Sequence, residues 1–229
     1  MINNELSQSL LIPKNAKQFF ISGPVGKLDC LLIVPNNLDN IEGIAIIFHP
    51  NPIGGGNYTN KIVQTIAKTL NLCNFICICP NLRGVGKSDG IHDYGNSEIA
   101  DASAIYDYII TDNNLSQYLN INNKPSLILA GFSFGTAIAS ALAQIVPYKS
   151  LLLVGPAVTK FKVLVPDNKK TIVIHGSEDE IIPINDVFNW AKRYQQNIIW
   201  VPNVGHFFHG KLPILQEIIL QYALSKKNI

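Results

Sequence analysis

A serine stands between two glycines where an apolar stretch gives way to helix-forming residues. Residues 126–130 form an apolar run of strand character, Gly-Phe-Ser-Phe-Gly follows at positions 131–135, and residues 136–143 are good helix formers. A serine at the apex of so sharp a strand-to-helix turn is exposed at the end of the strand, and glycines two residues away on either side leave room that a Cβ would fill. The pattern predicts a nucleophilic Ser133.

A serine hydroxyl is a poor nucleophile at neutral pH, so a general base must lie beside it. Ligands of α/β sheets bind at the carboxyl ends of parallel strands, and the base should therefore follow a strand. His206 follows the last predicted strand in the sequence Val-Gly-His, on a loop that can return over the upper edge of the sheet. We predict His206 as the base. The other histidines fit the role less well by position: His49, His92, His175 and His209.

The base in turn needs an acid that orients its ring. Asp179 stands just beyond the strand that ends at His175, and its carboxylate can accept the Nδ1 proton of His206. That bond would leave Nε2 facing the serine. Asp179 could instead be a helix cap or a turn residue, and Glu178 and Glu180 are alternative acids.

Two backbone N–H groups are expected to stabilise a developing oxyanion. The first is that of Phe134, next after the nucleophile, and the second should lie in the loop after the strand at 44–48. Because Pro50 and Pro52 have no N–H, Asn51 is the first available donor and Ile53 the second. Apolar residues of the surrounding loops are expected to form the substrate walls: Ile53, Phe132, Phe134, Val158, Phe161 and Phe207.

The elements that must position these groups alternate regularly. An opening hairpin precedes strands and helices in turn, which predicts one domain (1–229) with a mainly parallel, twisted sheet covered on both faces. Strands are predicted at 18–22, 27–34, 43–48, 75–79, 126–130, 150–154, 171–175 and 197–201. Helices are predicted at 60–70, at 98–110 with Ser97 as N-cap, from 136, at 184–194 and at 212–224. The segment 155–169 is too short for a multi-helix lid, so an open site is expected.

Composition excludes several other classes. The chain has 229 residues, 47% hydrophobic and 15% charged, and a formal charge of +2 with no basic cluster, so neither nucleic acid nor a membrane is an expected partner. No signal peptide or transmembrane run is evident, which predicts a cytoplasmic protein, a monomer or a homodimer. The four cysteines lack a C-x-x-C pair and are expected to be buried thiols, and no cofactor or metal is predicted. Gly86-Lys87-Ser88 imitates the end of a phosphate-binding loop, but Asn81 stands where that motif requires glycine.

Taken together, the G-x-S-x-G elbow, the H-G-x-x-D-x-x-x-P acid loop and the G-H loop resemble those of α/β-hydrolases, in the same order and along nearly the whole chain. The H-P-x-P-x-x-G-G loop is similar to that of small bacterial serine hydrolases akin to dienelactone hydrolases and prolyl oligopeptidase catalytic domains. The resemblance implies a three-layer α/β/α sandwich with eight strands, the second antiparallel, and no large lid. Dienelactone hydrolases proper carry cysteine where this chain has Ser133.

The function expected from these residues is hydrolysis of short-chain carboxylic esters through an acyl-serine intermediate. A peptidase or amidase would use the same three residues, but no recognition site for an amine terminus is evident. Acyl transfer to an acceptor other than water, and a non-catalytic binding module on the same fold, are the remaining alternatives.

Overall fold

The computed structural model describes residues 12–121, 124–165 and 167–225. Ten strands lie in these ranges: β1 Ala16–Gly23, β2 Gly26–Ile33, β3 Gly43–Phe48, β4 Phe75–Pro80, β5 Asn120–Ile121, β6 Lys124–Pro125, β7 Leu127–Phe132, β8 Ser150–Val154, β9 Thr171–Gly176 and β10 Ile198–Val201. The same ranges contain five α-helices: α1 Lys61–Leu72, α2 Glu98–Thr111, α3 Phe134–Leu142, α4 Ile184–Tyr194 and α5 Leu212–Ser225.

Eight of the described strands form one sheet in the order β1-β2-β4-β3-β7-β8-β9-β10. β2 runs antiparallel to both of its neighbours, and from β4 to β10 all pairs are parallel. β3, β7, β8 and β9 therefore lie side by side and end at the same edge. This order confirms the expected mainly parallel sheet, and it gathers the loops that follow these strands at one edge.

Successive side chains of the central strands pack into two separate hydrophobic cores, one on each face of the sheet. Ile44, Ile46 and Phe48 of β3 face the cluster that includes α2 and α3, whereas Ala45 and Ile47 face the cluster that includes α1 and α5. α4 adjoins the first cluster through Trp190. A strand buried on both faces needs no polar alternation, which is why β3 is an unbroken apolar run. The arrangement is the predicted α/β/α sandwich.

The segment between β8 and β9 contains no helix or strand in its described residues, as expected for a chain without a large lid. Residues 120–121 and 124–125 form a two-stranded ladder that the sequence pattern did not predict. Ser97 occupies the predicted N-cap position of α2 but makes no capping bond, because its hydroxyl donates instead to the carboxylate of Asp93. Among the described residues, no helix is long and apolar enough to cross a membrane.

Candidate active site

Ser133 occupies a strained position between β7 and α3. Its φ of 52° and ψ of −116° lie outside the regions that non-glycine residues ordinarily adopt. A Cβ on Gly131 would stand 2.1 Å from the carbonyl oxygen of Gly135, and one on Gly135 would stand 2.3 Å from that of Phe48. Both glycines are therefore sterically required, the first within the elbow and the second against the end of β3.

The structure brings Ser133, His206 and Asp179 together. His206 Nε2 lies 3.0 Å from Ser133 Oγ, and His206 Nδ1 lies 2.7 Å from Asp179 Oδ2. All three residues are buried, and Ser133 is 8% exposed. With a carboxylate accepting the Nδ1 proton, Nε2 is left as an acceptor for the serine hydroxyl.

Asp179 is itself held by the backbone that follows it. Its Oδ1 accepts the N–H groups of Ile181 and Ile182, at 2.9 and 2.7 Å, which leaves Oδ2 for His206. Burial alone would raise the pKa of the Asp179 carboxyl. The hydrogen bonds from His206 and Ile182 outweigh that effect and hold its pKa below the usual range. The carboxylate form is thus stable in this buried position.

The two alternative acids, Glu178 and Glu180, flank Asp179 in the chain but do not bind the imidazole ring of His206. Glu180 Oε2 accepts the backbone N–H of His206 at 3.2 Å. Its carboxylate thus contacts the backbone of His206 and not the imidazole nitrogens. The side chain of Glu178 is exposed, although its backbone N–H donates to Val204. Of the three carboxylates, that of Asp179 makes the bond to His206 Nδ1.

Three of the other histidines are engaged away from Ser133. His49 is fully buried, with Nδ1 2.7 Å from the carbonyl oxygen of Pro50 and Nε2 accepting the Leu82 N–H at 3.2 Å. Burial lowers the pKa of His49 to about 4. His175 is buried at the end of β9, with Nε2 3.1 Å from the Ile182 carbonyl oxygen and 3.5 Å from Asp179 Oδ2. The ring of His92 packs edge-on against that of Phe134.

The backbone N–H groups of the two predicted oxyanion donors remain available in the described part of the chain. Neither the Phe134 N–H nor the Asn51 N–H donates to a protein atom there. The Ile53 N–H, by contrast, donates to Asn51 Oδ1, and the N–H of Ser133 itself donates to the Val154 carbonyl oxygen. Ile53 is thereby less suited to the role than Asn51.

A pocket of about 180 Å³ opens beside Ser133 and His206. Its lining includes Phe161 and Phe207, two of the predicted wall residues. Ile53 and Val158 do not line it, and Ile53 is 65% exposed. Two further predicted wall residues, Phe132 and Phe134, are fully buried and do not line the pocket. The ring centroid of Phe132 lies 5.0 Å from that of His206, and the ring of Phe134 packs against that of Phe161.

Sequence reasoning missed two polar residues of this pocket, Asn60 and Lys160, which line it together with Asn51. Asn60 is the N-cap of α1, and Lys160 lies in the segment between β8 and β9. The position of Lys160 in that segment, which follows the end of a central strand, was the one available signal. Within the described chain, no group of three or more His, Cys, Asp or Glu side chains could hold a metal ion.

The loop that imitates a phosphate-binding motif is closed around a carboxylate of its own. Lys87 N–H and Asn81 Nδ2 both donate to Asp29 Oδ2, at 3.1 Å each. Ser88 Oγ accepts the Asp29 N–H and donates to the Asn81 carbonyl oxygen. The donors that would surround a phosphate are already in use, so this loop has a structural role.

Comparison with known proteins places the fold in a familiar group. A family described as the alpha/beta hydrolase fold matches residues 45–164. An uncharacterized protein of Rickettsia prowazekii is 30% identical over 91% of this chain and 89% of its own length.

Two solved structures are similar over most of their length. One is a Xanthomonas campestris protein described as an α/β serine hydrolase without a lid, with a TM-score of 0.81 and 28% identity over 94% of this chain and 96% of that one. The other is an α/β serine hydrolase homologue from Coxiella burnetii, with a TM-score of 0.77 and 29% identity over 92% and 98%. With the family match and the Rickettsia relative, they lead to one conclusion: this chain belongs to the α/β-hydrolase fold family.

Proposed function

We propose that this protein is a serine hydrolase that cleaves small carboxylic esters through an acyl-Ser133 intermediate. The observation that carries the proposal is the continuous contact from Asp179 Oδ2 to His206 Nδ1 and from His206 Nε2 to Ser133 Oγ, over 2.7 and 3.0 Å. These distances allow proton transfer without rearrangement of the side chains. The serine hydrolase descriptions of the Xanthomonas and Coxiella proteins support the same reaction class.

In the proposed reaction, Ser133 Oγ attacks the ester carbonyl carbon while His206 Nε2 takes the hydroxyl proton. Asp179 stabilises the resulting imidazolium and keeps its ring in place. The N–H groups of Phe134 and Asn51 donate to the oxyanion of the tetrahedral intermediate. Loss of one such donor typically costs about 3 kcal/mol of transition-state stabilisation.

Collapse of the intermediate breaks the ester bond, and His206 returns the proton to the departing alcohol. A water molecule then attacks acyl-Ser133 and gives its proton to His206. The second collapse releases the carboxylic acid and restores the serine hydroxyl. Atoms and charges balance without a cofactor.

The pocket supports small substrates. Its volume of about 180 Å³ lies below the range of roughly 300–1,000 Å³ that is typical of sites for drug-sized ligands. No helix in the described residues between β8 and β9 covers it. An acyl or alcohol group of a few carbons fits this space, whereas a long chain would extend into solvent.

Labelling with a fluorophosphonate probe tests the proposal. Ser133→Ala should abolish labelling and ester hydrolysis, whereas Ser103→Ala, which alters a serine hydroxyl bonded within α2, should leave both unchanged. Equal labelling of wild type and Ser133→Ala would show that Ser133 is not the nucleophile. Methyl esters of rising acyl length, compared with the matching amides, separate an esterase from an amidase.

Product analysis in the presence of added alcohols separates hydrolysis from acyl transfer. If the acyl group passes mainly to a small alcohol rather than to water, the enzyme is a transferase that uses the same three residues.

A further inference from the structure

Two amide side chains line the pocket beside Ser133, and backbone N–H groups occupy their oxygen atoms. Asn51 Oδ1 accepts the Ile53 N–H at 3.1 Å, and Asn60 Oδ1 accepts the Ile62 N–H at 2.9 Å. Because the backbone fixes both amide oxygens in this way, the NH₂ groups are the ends left for a ligand. Neither Nδ2 has a protein acceptor among the described residues.

Lys160 adds a positive charge to the same pocket. It is exposed, and no Asp or Glu of the described chain lies within ion-pair distance of its ammonium group. The pocket lining contains no carboxylate side chain in the part of the chain that the structure describes. Asp179, the carboxylate nearest the chemistry, is buried and already accepts three hydrogen bonds.

The pocket also has apolar lining residues. Phe161, Ile181 and Phe207 are among them, and they suit the hydrocarbon part of a substrate. A ligand that fits both the polar and the apolar lining therefore combines a short hydrocarbon body with an anionic or oxygen-rich end. An unpaired ammonium discriminates most strongly in favour of a full negative charge.

We propose that the pocket selects esters that carry a carboxylate close to the scissile bond, with Lys160 as the specificity-determining residue and the amides of Asn51 and Asn60 as further donors. This inference rests on the proposed hydrolase function and specifies its substrate class.

Two pairs of esters test the proposal, each differing only by a carboxylate. Monomethyl succinate and methyl butyrate place the charge on the acyl side, and 4-acetoxybenzoate and phenyl acetate place it on the alcohol side. Hydrolysis is followed by titration of the released acid at constant pH and low ionic strength. The enzymes compared are wild type, Lys160→Ala, Lys160→Glu and the matched control Lys162→Ala, which alters an exposed lysine outside the pocket.

We expect Lys160→Ala to lower kcat/KM for the charged ester of one pair by about two- to fivefold, because an exposed ion pair has a modest strength. The neutral ester should change by less than about twofold, and Lys160→Glu should lower the charged ester further. Lys162→Ala should change neither ester. High salt should reduce the preference of wild type, since it screens exposed charges. The pair that responds shows which side of the ester carries the charge.

If Lys160→Glu retains the wild-type ratio for both pairs, the specificity proposal is wrong while the hydrolase proposal stands. If Ser133→Ala still hydrolyses the esters, the hydrolase proposal is wrong instead. Labelling rates with a carboxylate-bearing and a neutral fluorophosphonate provide a second readout that needs no turnover. Equal effects of Lys160→Glu on the two probes would likewise overturn the role of Lys160.

Discussion

Gly135 packs so closely on the end of β3 that a Cβ there would stand 2.3 Å from the carbonyl oxygen of Phe48. This contact joins the elbow that carries Ser133 to the strand that precedes the Asn51 loop. The three atoms nearest to such a Cβ belong to the backbone carbonyl groups of Phe48 and His49, which cannot move aside as a flexible side chain would. Main-chain packing therefore sets the separation between Ser133 and the proposed oxyanion donor Asn51.

We expect Gly135→Ala to displace the elbow from β3, with a loss of activity of at least about a hundredfold and a destabilisation of about 1–3 kcal/mol, as for overpacking in general. Circular dichroism melts and hydrolysis rates measure the two effects. Gly54→Ala is the steric control for stability, because a Cβ there meets no atom within 4 Å. Equal melting temperatures for Gly135→Ala and wild type would contradict this account.

Asp179→Asn should impair catalysis through the proton on His206. The Ile181 and Ile182 N–H groups require an oxygen at the Oδ1 position, so the new amide must direct its NH₂ at His206 Nδ1. Nδ1 then becomes the acceptor and Nε2 carries the proton, which leaves nothing to accept the serine hydrogen. We expect kcat to fall by roughly 10³–10⁴, as for the equivalent change in a known Ser-His-Asp protease. Glu178→Gln, at an exposed neighbour, should retain full activity, and a loss under tenfold for Asp179→Asn would refute the assigned role.

The buried His49 should make the protein less stable in mild acid. Its pKa is lowered from 6.5 to about 4 by burial, so between these values the unfolded chain binds a proton that the folded chain does not. Above pH 6.5 both states are neutral at this residue. As the pH falls from 6.5 through about 4, the free energy of unfolding should therefore drop, by on the order of 3 kcal/mol.

Urea unfolding at a series of pH values measures this slope. His49→Gln cannot titrate and should show a shallower slope than wild type over the same window. Part of the slope should remain, because burial also lowers the pKa of His175 and its contribution has the same sign. Identical slopes for wild type and His49→Gln would exclude His49 as the source.

The cysteines should be inert in the folded protein. All four are buried and none forms a disulfide, and burial raises the pKa of Cys30, Cys77 and Cys79. We expect Ellman's reagent to react with four thiols per chain in guanidinium and with almost none in native buffer. Iodoacetamide should leave ester hydrolysis unchanged. Rapid inactivation by iodoacetamide would argue against a serine mechanism.

The sheet and the residues around Ser133 were predictable because each depends on a local pattern. β3 is an apolar run of strand length, and Ser133, Asp179 and His206 each follow a predicted strand whose end the topology fixes. The two-residue strands at 120–125 were missed because so short a ladder carries no periodicity.

The pocket was less predictable, because its lining depends on which way each side chain points. Phe132 and Phe134 flank the serine in sequence, yet the turn directs both into the protein interior. Asn60 is distant from Ser133 in the chain, and only the folded position of the loop before α1 brings it to the pocket.

The neutral ring of His49 links the backbone just before Asn51 to the loop after β4, which does not line the pocket. With Nε2 accepting from Leu82, the proton must reside on Nδ1 and bind the Pro50 carbonyl, one residue before the proposed oxyanion donor. The loop that imitates a phosphate-binding motif contains Leu82 and is thus connected through His49 to the residue before the proposed oxyanion donor. We expect a displacement of that loop to lower kcat more than it changes KM, because an oxyanion donor acts in the transition state.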